Sequence, residues 1–532
     1  MSLRPWLDSL KSLCPFRRAP RAPAPRPRRP RLSLEALEDR SLPSANVVTE
    51  WNQVLLDTFK ADRVTPLYFG RDAAIVHAAI YDAVNAIDRS YTPLFAHVHA
   101  SRGASLEAAA AQAAHDTLTA LFPSHQATFD ATLAADLAGI APGRARQGVE
   151  IGQAVAQQIL AWRSNDGSAK QVNYVPGAAP GQWQPTPPAF APATAPQWGQ
   201  VTPFCIPSGS AFRPPAPPAL TSAEYTAAFN EVKSIGAANS TTRTAEQSQI
   251  ARFWYGAAGT FTAGGYWNQI AQEISQRRGN SLVQDARLFA LLNVAQADAT
   301  FAIWDTKYTY NFWRPVTAIR AADTDGNDNT AADPAWTPFL VTPAHPSYNS
   351  GHSGVSGASA AALAAFFGSD AIAFSFSSDS LPGVTRSFTS FSQALQECSD
   401  SRVYAGIHWR FDVATGQVVG NEVGNYVVTH CLLPASKGDG EGGADGSVSV
   451  ALGVVPVSAP AALPVATVSA VTAAVQPVVP VPANAVESAP SGAPSASADS
   501  SVPPRAVTGL VVGLVSDGPL DDLTLGVALE PV

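Results

Sequence analysis

The sequence is short of charge: Asp, Glu, Lys and Arg make up 14% of its 532 residues, against about 25% in an average soluble chain. Because 46% of the residues are apolar, this shortage does not mean wholesale disorder, which needs low hydrophobicity and high net charge. Cysteine is also scarce. Four in the whole chain cannot make a disulfide scaffold. Spacing does not decide whether Cys398 and Cys431 pair, and free buried thiols are the default expectation for Cys205, Cys398 and Cys431. No uninterrupted apolar run reaches the roughly 18 residues of a membrane-spanning helix. A formal net charge of −8 argues against nucleic acid as the main partner, while leaving room for a local anion site. Proline is abundant by contrast, at 44 residues, and length alone allows about three or four domains.

Charge and proline are unevenly placed, and this divides the chain. Residues 1–45 form a basic, Pro-rich leader whose stretch from Arg17 to Arg31 alternates Arg, Pro and Ala and cannot bury a core. It lacks the apolar stretch of a Sec-type signal. The segment Leu34-Glu35-Ala36-Leu37-Glu38-Asp39-Arg40-Ser41-Leu42-Pro43 resembles a short N-terminal motif of exported bacterial proteins, which implies an extracellular or cell-envelope location. A solvated leader with no address function is the alternative. Residues 436–532 contain no Trp, Tyr, Phe, His or Cys and read as a low-complexity Ala/Val/Pro/Ser extension.

The remaining body, 46–435, is helical in its periodicity. Residues 71–88 place Ala74, His77, Ala78, Tyr81, Val84 and Ile87 at three- and four-residue steps, the stripe of an amphipathic helix. Segments 105–121, 127–138 and 144–163 behave alike, Thr244 with Gln247 predicts a capped helix through about Tyr255, and the longest helix is expected over 281–312. Residues 166–221 hold thirteen prolines with Trp183 and Trp198, a belt between helical halves. No series of alternating strands is evident. The expected fold is all-α, a helical bundle.

Three segments carry the chemistry, the core being 281–430. In the first, Lys307 and Arg314 are seven residues apart, nearly two helical turns, with Trp304 one turn earlier; both cations would share a face of a helix ending at Pro315. Taken alone they read equally as snorkelling cations. In the second, His345 precedes Ser350-Gly351-His352; Ser350 is a plausible N-cap of a helix ending near Gly368, with the Gly351 and His352 amides free to bind an oxyanion. Alone, this is also an ordinary turn. In the third, Arg402, His408 and Asp412 place a carboxylate one turn from an imidazole, where it would fix the tautomer; a break near Gly406 is needed to bring Arg402 round. A helix with an internal ion pair is the plain alternative. Together, three cations, a hydroxyl and a free amide suit a highly charged tetrahedral oxyanion, with two histidines for separate roles.

Lys-x6-Arg-Pro, Ser-Gly-His and Ser-Arg-x5-His-x3-Asp, in this order, resemble the signature of vanadium-dependent haloperoxidases and type 2 phosphatidic acid phosphatases. The Tyr81–Ala86 helix and the proline belt resemble the soluble bacterial haloperoxidase branch. The resemblance implies that Lys307, Arg314, Ser350, Gly351 and Arg402 bind vanadate, or phosphate in a phosphatase. It further implies that His408 is the metal ligand, His352 the general acid/base, Asp412 the group orienting His408, and Trp304 with His345 the halide pocket. Asn349 departs from the pattern, which usually has Pro there, and puts in question how well the Ser350–Gly351 loop is pre-organised. The function so implied is halide oxidation by hydrogen peroxide to hypohalous acid, which halogenates small organic acceptors. The alternatives are a soluble acid phosphatase with a phosphohistidine intermediate, and a non-catalytic anion-binding scaffold.

Overall fold

The computed structural model describes residues 46–435; the leader (1–45) and the low-complexity extension (436–532) lie outside the described residues. Thirteen α-helices and one two-stranded hairpin make up its regular structure, which is the all-α architecture expected. The first five helices are α1 (Val47–Ala61), α2 (Pro66–Asp88), α3 (Leu106–Leu121), α4 (Gln126–Leu137) and α5 (Pro142–Arg163). After the belt come α6 (Ala223–Ile235), α7 (Ala245–Phe253), α8 (Thr262–Arg278), α9 (Leu282–Tyr310), α10 (Pro315–Arg320), α11 (Gly351–Phe367), α12 (Phe391–Tyr404) and α13 (Arg410–His430). Strands β1 (Phe374–Ser377) and β2 (Thr385–Phe388) pair antiparallel between α11 and α12. Their short polar/aromatic alternation is below what a periodicity reading detects beside long helices.

The longest helix, α9, forms the axis of the body. Ser281 and Gln284 make the capping box that starts it, and its residues from Leu288 to Ile303 are all buried. A helix buried on every side needs neighbours all round, and α2 and α11 are among them; a Cβ on Gly70 of α2 would come within 3.3 Å of Ala297 Cα. The helix ends earlier than expected. Asn311 adopts the left-handed conformation (φ 49°) and closes it after Tyr310, so Arg314 is not on the same helix as Lys307. It sits instead at the N-cap of α10, just before Pro315.

Helices α11 and α13 run parallel and nearly touch. A Cβ on Gly420 would lie 2.1 Å from Gly354 O, and one on Gly424 would lie 2.6 Å from Ala358 O. This contact sets the N-termini of both helices side by side, joined by the Ser350 N–H donating to Asp412 O at 3.0 Å. Each N-terminus carries partial positive charge. The expected break falls where α12 stops at Tyr404 and Gly406 takes φ 76°.

The belt is ordered and fastened at many points. Asp298 of α9 accepts from the backbone N–H groups of Phe204, Cys205 and Ile206 at 2.8, 2.8 and 2.9 Å. Trp183 N–H donates to Asn311 O and Trp313 N–H to Gly181 O. The free-thiol expectation fails for two cysteines: Cys205 in the belt and Cys431 after α13 form a disulfide across 226 residues, while Cys398 is free and buried. Pairing over such a separation has no local signature. Among the described residues no helix is long and apolar enough to cross a membrane.

Candidate active site

The ends of α9, α10, α11 and α13 and the Tyr404–Trp409 connection meet around a cavity of about 210 Å³. Of the ten residues singled out in the sequence, Trp304, His345, Gly351, His352, Arg402 and His408 line it. Lys307, Arg314, Ser350 and Asp412 lie immediately behind, each fully buried. Other parts of the wall include Thr65, Pro66 and Leu67 at the start of α2, Thr194 and Val355. Thr65–Leu67 and Thr194 carry no sequence signal, because they reach the cavity from parts of the chain far from the three predicted segments.

His408 is held by Asp412. Its Nδ1 lies 2.8 Å from Asp412 Oδ2, which makes Nδ1 the protonated nitrogen and leaves Nε2 as an acceptor. The pair is not formed inside one helix, since α13 starts only at Arg410; His408 precedes it, and Asp412 sits in its first turn. Asp412 Oδ2 also accepts from the Trp409 N–H at 3.2 Å and from the Ser347 hydroxyl. Ser347 is a site residue that the sequence did not reveal, as its partner is 65 positions away.

The three cations differ in how they are satisfied. Lys307 Nζ donates to the carbonyls of Pro346 and Ser347 at 2.9 Å and of Asn349 at 2.5 Å. Arg314 donates to His345 O at 2.8 Å, to Ile407 O at 2.7 Å, to His345 Nδ1 at 2.9 Å and to His408 Nε2 at 3.1 Å. Arg402 has a single long bond, from Nη1 to Trp254 O at 3.4 Å, and its buried Nε has no partner. The backbone N–H groups of Gly351 and His352, the first two of α11, have no acceptor among the described residues. Ser350 Oγ accepts from Ser353, so its own proton remains available.

The electrostatics show one consistent imbalance. Burial pushes Arg314 down to about 9 and Arg402 down to about 10. Burial and Arg314 hold the Lys307 ammonium well below its ordinary range. His408 is depressed by burial and by Arg314 and Lys307, His352 by burial and Arg402, and His345 by burial and Arg314. Against three cations stands one carboxylate, Asp412, itself raised to about 6 by burial. Uncompensated buried charge is costly, and an oxyanion at the Arg402 end of the cavity would relieve it. An unpaired guanidinium nitrogen, two free helix-start amides and the His408 Nε2 lone pair, here facing Arg314 at 3.1 Å, suit a tetrahedral oxyanion with a central atom able to accept nitrogen. Vanadate fits this description, and so does phosphate.

Trp304 and His345 pack against each other on the cavity wall, their ring centroids 4.9 Å apart, and Trp304 Nε1 donates to Thr194 O at 3.3 Å. His352 Nε2 lies 3.2 Å from Tyr255 O, which leaves Nδ1 as the free base nitrogen. The Asp323–Asn329 stretch, a weak look-alike of a calcium loop, closes on itself: Asp325 accepts from Asn327 N–H at 2.8 Å and from the Thr330 hydroxyl at 2.7 Å.

Comparisons with known proteins find likenesses of sequence and fold. Residues 287–435 match the family model of the VCPO second helical-bundle domain. The chain is 27% identical to the vanadium chloroperoxidase of Curvularia inaequalis over 38% of its own length, and it spans about two fifths (43%) of that longer relative. Among solved structures, a bacterial vanadium-dependent iodoperoxidase aligns with 28% identity and a TM-score of 0.66, covering 74% of this chain and 97% of the other. The holo-type structure of a bacterial vanadium-dependent chloroperoxidase aligns with a TM-score of 0.56 over 73% and 93% of the two chains. At 18% identity, that second likeness concerns the fold alone.

Proposed function

We propose that this chain, which is similar in sequence and fold to vanadium-dependent haloperoxidases, oxidises halide with hydrogen peroxide, releasing hypohalous acid to small organic acceptors. One observation carries the proposal: a cavity ringed by three buried cations and one carboxylate, with the Arg402 Nε unpartnered beside His408. Arg314, Arg402, the Ser350 hydroxyl and the Gly351 amide would hold vanadate, with Nε2 of His408 as its protein ligand. When bound, vanadate supplies a Lewis acid that polarises peroxide toward attack by halide.

The residues of the chain do the rest. Asp412 keeps the proton on His408 Nδ1, so that Nε2 presents its lone pair to the ligand. Arg314, which donates to Nε2 at 3.1 Å, turns from the imidazole to the anion on binding. His352 stays neutral through burial and the nearby Arg402, and its Nδ1 can therefore take a proton from incoming peroxide and return it to the departing oxygen. Trp304 and His345 enclose the halide and limit its hydration. Export to the extracellular side or the cell envelope belongs to the same proposal, supported by the leader motif and by the Cys205–Cys431 disulfide, a bond at home in oxidising compartments.

The test is peroxide-dependent bromination or iodination of a phenolic dye with and without added vanadate, run beside hydrolysis of p-nitrophenyl phosphate. Vanadate-dependent halogenation is the expected result, abolished in His408→Ala. Ester hydrolysis that vanadate inhibits, with no halogenation, would refute the reading.

A further inference from the structure

The last described residues lead into a basic hollow. Past α13, Leu433 O accepts from Thr92 N–H at 2.8 Å, and Leu433 N–H donates to Thr92 Oγ1 at 3.1 Å. Tyr91 and Pro434 form an antiparallel bridge, and Ala435 N–H donates to Ser90 O at 2.9 Å. This short ladder brings Ala435 to the wall of a hollow of about 730 Å³. Arg89, His97, His99 and Arg102, all exposed, line it too. Tyr91 also lines a second hollow of about 450 Å³, together with Arg278 and Arg287. The one acidic residue lining either hollow is Asp82. It is 1% exposed and already accepts from the backbone N–H groups of Leu94, Phe95 and Ala96 at 2.7, 3.0 and 2.7 Å. Among the described residues, none of these four arginines pairs with a carboxylate. A basic face on a chain of net charge −8 attracts an anionic partner.

The chain itself carries an anionic stretch next to this face. Residues 436–446 hold Asp439, Glu441 and Asp445 against Lys437 alone. Asp439 follows Ala435 by four residues and lies at most about 14 Å from it; Asp445 reaches at most about 35 Å. A segment tethered so closely has an effective concentration in the millimolar range, so a few exposed ion pairs hold it although each is weak by itself.

We propose that residues 436–446 dock in the hollow, with the carboxylates of Asp439, Glu441 and Asp445 facing Arg89, Arg102 and the two histidines. The ladder at 433–435 favours this occupant over an outside polyanion, because it delivers the segment in cis. Docking extends the fastening that the Cys205–Cys431 disulfide begins at the end of α13, and it sets where the extension leaves the body. The proposal is independent of the oxyanion reading, since the hollow shares no lining residue with the candidate active site.

The test uses the full chain. Lys437 is the one trypsin site in the segment, and its cleavage, followed by intact mass, is normalised to cleavage after Arg505. At about 20 mM salt the normalised rate should be about fivefold or more below that in about 0.5 M NaCl, where surface charges are screened. In Arg102→Glu/His99→Glu the low-salt rate should rise to the high-salt value. Hydrogen exchange over residues 97–102 reads the same contact from the other side. It should quicken about threefold or more in that variant, and Asp439→Lys with Glu441→Lys added to it should restore the slow exchange. Lys437 cleavage that is equal at both salt concentrations and in the variant, or exchange that the reversed charges do not restore, would overturn the proposal. So would exchange over 97–102 that ignores every substitution in 436–446 but slows on adding polyglutamate, which would assign the hollow to an outside polyanion.

Discussion

Replacing Arg402 with Met should make the anion-free protein no less stable, and should at the same time remove its response to vanadate. Arg402 is 1% exposed, makes one 3.4 Å hydrogen bond and leaves Nε unpaired. Burial without a counter-charge lowers it to about 10, so its charged form is held in the fold at a cost. Replacing a buried charge by a well-packed apolar side chain is commonly neutral or stabilising by about 1–3 kcal/mol. A body of about 390 residues has an unfolding entropy near 0.8 kcal/mol/K, so the gain corresponds to a Tm rise of about 1–4 °C. Vanadate at a hundredfold its Kd should stabilise wild type by about 2.7 kcal/mol, a Tm increase of about 3 °C on the same entropy. In Arg402→Met that increase should vanish. Differential scanning calorimetry with and without vanadate measures both quantities. A Tm that falls by several degrees in the anion-free variant, or a vanadate shift that survives the substitution, would refute the reasoning.

Three further outcomes follow from the same contacts. Asp412→Asn replaces the acceptor that fixes His408, and should lower vanadate affinity or turnover by about 10–100-fold, checked by fluorescence titration and steady-state rates. His77 is buried with Nδ1 unpaired and is pushed down to about 3 by burial; between pH 6.5 and 3 the unfolded chain takes up a proton there that the folded chain refuses, so stability is lost as pH falls. From pH 6.5 to 5.0 this amounts to about 2 kcal/mol, which His77→Gln should lack; parallel pH–stability curves from urea unfolding would contradict it. Gly420→Ala drives a methyl to 2.1 Å from Gly354 O and should cost about 1–3 kcal/mol by overpacking, with a matching loss of anion affinity as the N-termini of α11 and α13 separate.

Much of the site was legible because its residues cluster within three short segments. Ser350 announces its helix by N-cap chemistry, which needs only its own neighbours. The Gly406 break follows from the angular arithmetic of one helix. The same arithmetic misplaced Arg314, because spacing alone does not register a left-handed Asn311 that ends the helix early. It also set His408 and Asp412 on one helix, although the pair forms across the start of α13. Ser347, Thr194 and the Thr65–Leu67 wall were out of reach altogether, since each meets the cavity only through contacts with other parts of the chain.

The sequence by itself determined that the body is helical, that basic charge concentrates in the leader and proline in the leader, the belt and the extension, and that cations and histidines recur in an order suited to an oxyanion. These are properties of composition and of periodicity within a few turns. Only the tertiary structure decided which partner each cation takes: three loop carbonyls for Lys307, two histidines and two carbonyls for Arg314, and almost nothing for Arg402. It likewise paired Cys205 with Cys431 rather than leaving both as free thiols. The physical reason is common to all of these. Net electrostatic balance and disulfide choice are set by groups brought together from distant positions, whereas helical spacing reports only on neighbours one or two turns away.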